Sequence, residues 1–124
     1  MNPELMHLAL RIALKSISKY RLGAVIAKRK KILQVGFNQM GKTHPQMQKY
    51  VKGDWTPGLH AEVDCCLGLP AEDLLGADVY VGRIMKNGLP SLARPCEVCQ
   101  RFLKNVGVRV VYYSTREGWG KIEL

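Results

Sequence analysis

Two short segments restrict most strongly how this chain can fold: His60-Ala61-Glu62, and the later Pro95-Cys96-Glu97-Val98-Cys99. Nitrogen and sulfur donors of this kind are what zinc takes, and three of them leave a fourth tetrahedral position for water, the pattern of a catalytic zinc site. For His60, Cys96 and Cys99 to share an ion, two predicted helix starts must meet, one opened by His60 and one by the cysteine pair. Both positive helix ends would face the ion and favour thiolate over thiol at Cys96 and Cys99. Three residues of separation on a first helical turn put the two sulfurs on one side, and Pro95 fixes the direction from which the chain arrives. Glu62, two residues past the histidine, reaches the open position without being a ligand and can shuttle protons there.

The rest of the sequence predicts a framework for that convergence. Asn2-Pro3 is a capped helix start, and Leu5, Leu8, Ala9, Ile12, Ala13 and Ile17 recur at helical spacing, predicting an amphipathic helix to about Ser18. Leu22–Ala27 and Ile32–Phe37 are apolar runs joined by Lys28-Arg29-Lys30-Lys31, which reads as an antiparallel hairpin. Residues 38–59 have no clean period and read as a long functional loop. A helix from His60 to about Leu67 follows, then a strand Val79–Met85, a helix Cys96–Asn105 and a strand Val108–Tyr113. The residues from Ser114 onward are too few for a crossover helix and another parallel strand, and predict a short antiparallel fifth strand near Lys121–Leu124. The order αββαβαβ predicts an α/β fold, a three-layer α/β/α sandwich around one mixed sheet, with residues 1–124 as a single domain.

No stretch approaches the roughly 18 apolar residues of a membrane span, so no membrane partner is expected. Met1–Tyr20 is broken by Arg11, Lys15 and Lys19 and has no cleavage site of small residues, unlike a targeting peptide. The four cysteines form two close pairs. Neighbours such as Cys65-Cys66 rarely bridge, and they read as small core residues. A reducing, cytoplasmic setting is expected, where a CxxC pair serves metal binding or catalysis. The net charge of +9 is uneven: residues 1–53 hold eleven basic residues against Glu4 alone, while residues 54–124 hold eight against nine acids. A basic half steers polyanions or phosphorylated substrates, or serves solubility alone.

A CxxC pair by itself also fits a redox centre, though such pairs follow a strand and need neither His60 nor Glu62. A structural zinc would need a fourth donor from Cys65, Cys66 or His44, and the spacing matches no ribbon or finger. The combination H-x-E…P-C-x-x-C is the signature of zinc-dependent nucleobase deaminases. In His60, Ala61, Glu62, Pro95, Cys96 and Cys99, in the Gly36-Phe37-Asn38 end of the hairpin, and in the order of elements over about residues 5–113, the chain resembles the cytidine/deoxycytidylate deaminase superfamily. The resemblance implies one catalytic Zn2+ and a hydrolytic deamination. A zinc-activated water adds to C4 of cytosine (or C6 of adenine), Glu62 carries its proton to the ring nitrogen, and the amino group leaves as ammonia. It also implies Asn38 on the substrate sugar, with Ala61 and the turn at Pro95 on the base edge.

His44 and Tyr113 are further substrate-binding candidates at the mouth of the site. Trp55, Tyr112 and Trp119 could stack on a base or simply pack. The loop Lys19-Tyr20-Arg21 and the cations Lys42, Lys49, Lys52 and Arg116 are predicted near the mouth. Arg21, Lys42, Lys49, Lys52 and Arg116 are assigned to a nucleic-acid backbone. Glu97-Val98 between the cysteines departs from the pattern of tRNA adenosine deaminases, which favours cytosine. The expected substrate is therefore cytosine in single-stranded DNA (or RNA), with free dCMP/CMP or (deoxy)cytidine as the alternative. A catalytically silent zinc-fold binder of nucleic acid would have no use for Glu62. Oligomeric state leaves no mark in the sequence.

Overall fold

The computed structural model describes residues 1–39 and 59–124. In chain order the elements are α1 (Pro3–Ala13), β1 (Arg21–Lys28), β2 (Lys31–Phe37), α2 (Ala61–Asp64), α3 (Ala71–Leu74), β3 (Asp78–Ile84), β4 (Pro90–Ser91), α4 (Glu97–Asn105), β5 (Val110–Ser114) and β6 (Trp119–Glu123). The strands form one sheet in the order β2-β1-β3-β5-β6, with β4 beside β3. β1 runs antiparallel to β2 and β3, β3 runs parallel to β5, and β6 returns antiparallel to β5. The sheet is mixed, as predicted, and the last strand is the expected antiparallel one.

Successive strand residues point to opposite faces, and this sorts the apolar side chains into two cores. Ala24, Ile26, Val79, Val81 and Val111 join Val63 of α2 and Phe102 of α4 on one face. Val25, Ala27 and Tyr80 join Leu5, Met6 and Ala9 of α1 on the other. Helices on both faces of one sheet make the α/β/α sandwich.

Two glycines set how closely the layers approach. Gly23 on β1 lies opposite Gly82 on β3, and a Cβ at Gly23 would stand 2.3 Å from the Ala9 carbonyl oxygen and 2.4 Å from the Ala13 nitrogen. The backbone of α1 therefore rests directly on the sheet. Gly23→Ala is expected to destabilise the fold by about 1–3 kcal/mol through overpacking, as read by urea unfolding of the zinc-loaded protein. Unchanged stability would mean that α1 is not seated there. Gly36 on β2 does the same for α2, with a Cβ only 2.5 Å from the Cys65 nitrogen. That contact brings His60-Ala61-Glu62 over the sheet.

Several expectations need correction. The first helix ends at Ala13, not near Ser18, and Ile17 is fully exposed although its spacing is helical. Buried Ser16 instead turns the chain, donating from Oγ to the Asn38 carbonyl at 3.0 Å. The helix expected over His60–Leu67 is helical only at Ala61–Asp64 and continues as turns. Gln34 Nε2 donates to the carbonyls of Cys65 (3.0 Å) and Leu67 (2.8 Å), satisfying groups that a longer helix would have used. The strand expected from Val108 starts at Val110, because the Val108 N–H still donates to Leu103 at the end of α4. The short elements α3 and β4 had no counterpart in the sequence reading, since elements of four and two residues show no period.

The hairpin turn between β1 and β2 consists of Arg29 and Lys30, with φ of 52° and 69°. Positive φ at both positions is the pattern of a type I′ turn, for which Asn-Gly is the preferred pair. Non-glycine residues held there cost about 1–3 kcal/mol each. Among the described residues no helix is long and apolar enough to cross a membrane.

Candidate active site

The three metal-type donors converge as the sequence requires. His60 immediately precedes α2, Cys96 is the N-terminal cap of α4, and Cys99 lies in its first turn. Their ligand atoms all lie within 4.8 Å of one another. His60 Nδ1 is 3.3 Å from Cys99 Sγ and 3.9 Å from Cys96 Sγ. A tetrahedral zinc with ordinary bond lengths separates such nitrogen and sulfur donors by about 3.5 Å, so the cluster fits that ion.

The segment leading to Cys96 is tied down by one buried hydroxyl. Ser114 Oγ accepts from the Arg83 N–H (3.0 Å) and donates to the Ser91 carbonyl (2.7 Å), and the Ser114 carbonyl accepts from the Ala93 N–H (2.9 Å). Gln100 Nε2 then donates to the Pro95 carbonyl at 2.8 Å, clamping the turn onto α4.

The two thiols are electrostatically unlike. Cys96 is pulled down to about 4, first by the hydrogen bond it accepts from Cys99 and then by His60. Cys99 is pushed well above the ordinary thiol range by donating that bond and by its burial. The positive end of α4 favours the same thiolate. Glu62 is 3% exposed, and burial raises its carboxyl above the usual range, with His60 and a hydrogen bond to Cys99 opposing. A carboxyl held nearer the working pH can both take and return a proton.

A cavity of about 350 Å³ opens onto His60, Glu62 and Cys96. Lys19, Arg83 and Arg94 line it too, and the Tyr20 ring carries the Arg83 guanidinium 4.7 Å and the Lys19 ammonium 5.6 Å from its centre. The ion pairs recorded among the described residues lie elsewhere, at Arg109–Asp78 and Lys121–Glu123. Among the described residues, the cavity thus presents three cations beside one buried carboxyl.

Of the other predicted site residues, Asn38 and Ala61 line the cavity. The Asn38 amide is engaged with the neighbouring chain, accepting from the Leu22 N–H at 3.0 Å and donating to the Tyr20 carbonyl. Pro95 is buried behind Cys96. Tyr113 is half-buried and accepts a hydrogen bond from Arg94 Nη1 at 3.3 Å, so it meets the cavity through that arginine. Arg21 is paired in the sheet opposite Ile84, and Arg116 is exposed between β5 and β6; neither lines the cavity. His44, Lys42, Lys49, Lys52 and Trp55 lie outside the described residues. Cys65 and Cys66 are buried, each donating to the Glu62 carbonyl, and serve as core. Sequence reasoning missed Arg83, Arg94 and Ser114 as site residues. Arg83 carried a signal, a lone charge inside the apolar run Val79–Met85.

An α/β/α sandwich with His, Cys and Cys donors at two helix starts, beside a buried glutamate, defines the zinc-dependent nucleobase deaminase class. The family described as the cytidine and deoxycytidylate deaminase zinc-binding region matches residues 1–115, and the chain belongs to it. It is a zinc deaminase by family, with one Zn2+ as cofactor.

Solved structures agree on the fold. Cytidine deaminase from Mycobacterium leprae is similar at 20% identity and a TM-score of 0.61, over 96% of this chain and 91% of that one. The dCMP deaminase of cyanophage S-TIM5, solved with dCMP and dUMP, is similar at 20% identity and 0.59, over 91% of this chain and 82% of that one. RibD from Acinetobacter baumannii is similar at 22% identity and 0.54, over 89% of this chain, which spans only 26% of that protein's chain. Among curated protein sequences none matches significantly.

Proposed function

We propose that the chain converts cytosine to uracil by hydrolysis, releasing ammonia, and that the cytosine is carried by a mononucleotide such as dCMP. The observation that carries this reading is the cavity of about 350 Å³, which sets Lys19, Arg83 and Arg94 around the mouth of a pocket ending at Glu62. That size is at the small end for ligand pockets and suits one nucleotide, with a cation cluster for one phosphate.

In this reading His60, Cys96 and Cys99 hold the zinc, which when bound acidifies water and polarises what it touches. Glu62 takes the proton of the attacking water and delivers it to N3 of the ring. The same carboxyl then takes the second proton, from the hydroxyl now on C4, and gives it to the departing amino group, so C4 becomes a carbonyl, ammonia leaves and Glu62 ends the cycle in its starting state. The Ala61 backbone and the turn at Pro95-Cys96 hold the base edge. Asn38, fixed by its own hydrogen bonds, shapes the wall against the sugar. Tyr20 supports Arg83 from below, which keeps the guanidinium in place at little entropic loss.

Arg83→Gln is expected to raise KM for dCMP by about 10- to 100-fold, the worth of a charged hydrogen bond, while changing cytidine turnover little. Equal losses on both substrates would remove Arg83 from phosphate recognition. The basic first half of the chain favours a second reading, cytosine in single-stranded DNA or RNA, with Arg21, Lys42, Lys49, Lys52 and Arg116 along the strand. Turnover of a cytosine-containing oligonucleotide without turnover of dCMP would establish that reading over the first.

A further inference from the structure

The deamination chemistry leaves a second cavity unused. β3 runs between the two: Arg83 near its end lines the first cavity, and Asp78 at its start lines another of about 730 Å³. Five residues of strand, roughly 17 Å, separate them. The second cavity brings together Lys28 from the end of β1, Arg29 and Lys30 from the hairpin turn, and Arg109 from the segment leading into β5. Its floor includes the stacked rings of Tyr80 and Tyr112, 4.9 Å apart.

Among the described residues, one acid, Asp78, faces these four cations. Its Oδ2 accepts from Arg109 Nη2 at 2.9 Å, which aims that guanidinium, while its Oδ1 is buried with no hydrogen-bond partner among the described residues. Lys28 Nζ donates to the Glu72 carbonyl at 2.7 Å, a neutral partner that leaves its charge uncompensated. Arg29 and Lys30 hold the strained left-handed positions that Asn-Gly would occupy without strain. Cations kept there at the expense of backbone comfort point to use of their charge.

We propose that this cavity is a phosphate-binding site separate from the active site, in which Lys28, Arg29, Lys30 and Arg109 hold neighbouring phosphates of one polyanion. Four cations from two stretches of chain, 28–30 and 109, match successive phosphates better than a single anion, and Asp78 serves to aim the Arg109 guanidinium. The phosphates come either from a free polyphosphate or from the backbone of a nucleic-acid strand. The proposal is independent of which cytosine substrate the active site takes.

The test uses the zinc-loaded full chain with two probes, sodium tripolyphosphate and a fluorescein-labelled oligodeoxyadenylate, which contains no cytosine. The wild type is expected to bind at least one of them with affinity that falls steeply as salt rises. The double variant Arg29→Asn/Lys30→Gly supplies the preferred turn residues. It should bind at least tenfold more weakly while keeping its zinc content and an unfolding midpoint no lower than the wild type. Arg109→Gln, away from the turn, should weaken the same probe. Binding of tripolyphosphate alone identifies a free polyphosphate as the ligand, and binding of the oligonucleotide identifies a strand. Failure of both probes to bind the wild type, or equal affinity in the wild type and both variants, overturns the proposal.

Discussion

Glu62→Gln is expected to slow turnover by about a hundred- to ten-thousand-fold, with zinc content and unfolding temperature unchanged, as measured by uracil formation and metal analysis. The substitution preserves volume at a position that is 3% exposed, so the packing of α2 on the sheet survives. It removes the only function the neighbouring donors cannot replace. A glutamine amide can hydrogen-bond to Cys99 and to water, but it cannot accept a proton and return it. Burial is what raises the Glu62 carboxyl toward the range where both transfers are easy. Wild-type turnover in this variant would remove Glu62 from the proton path.

Stripping the zinc, or replacing Cys99 by Ser, should lower the unfolding temperature by about 15 °C. A bound ion at a thousand times its dissociation constant contributes about 4 kcal/mol, and at this chain length each kcal/mol moves the midpoint by about 4 °C. The ion joins the start of α2 to the start of α4, so its loss separates two elements that carry one core. Acidification should act in the same direction, because the ligands must be deprotonated and protons compete for them. Zinc affinity therefore falls as pH falls. Calorimetric scans of zinc-loaded and chelated protein check this, and identical midpoints would contradict the proposed ligand set.

How much of this was legible depended on whether the information was local. The apolar runs Leu22–Ala27 and Val79–Met85 are written in adjacent residues and mark buried strands, but which of Val25 and Ile26, or of Tyr80 and Val81, faces which helix layer is settled only by the assembled sheet. Residue type alone marks His60, Cys96, Cys99 and Glu62, because few other roles need those donors together. The end of α1 was misread at Ile17, whose helical spacing says nothing of the pull that buried Ser16 exerts through Asn38. The loop at Lys19-Tyr20 was predicted near the mouth of the site, but Arg83 and Arg94, which join it at the cavity, come from distant segments that only the assembled sheet brings there. Ser114 sets the approach to Cys96 through one hydroxyl, a role with no pattern in sequence. The strain at Arg29-Lys30 was likewise invisible, since a basic tetrapeptide between two strands predicts a turn but not its handedness.

The most direct test is to incubate the zinc-loaded protein with dCMP and, in parallel, with a cytosine-containing single-stranded oligonucleotide, and to measure uracil and ammonia. Equal amounts of both products are expected from dCMP, and none from the Glu62→Gln variant or the chelated protein. Absence of uracil from both substrates, with zinc fully bound, would contradict the assignment of a cytosine deaminase.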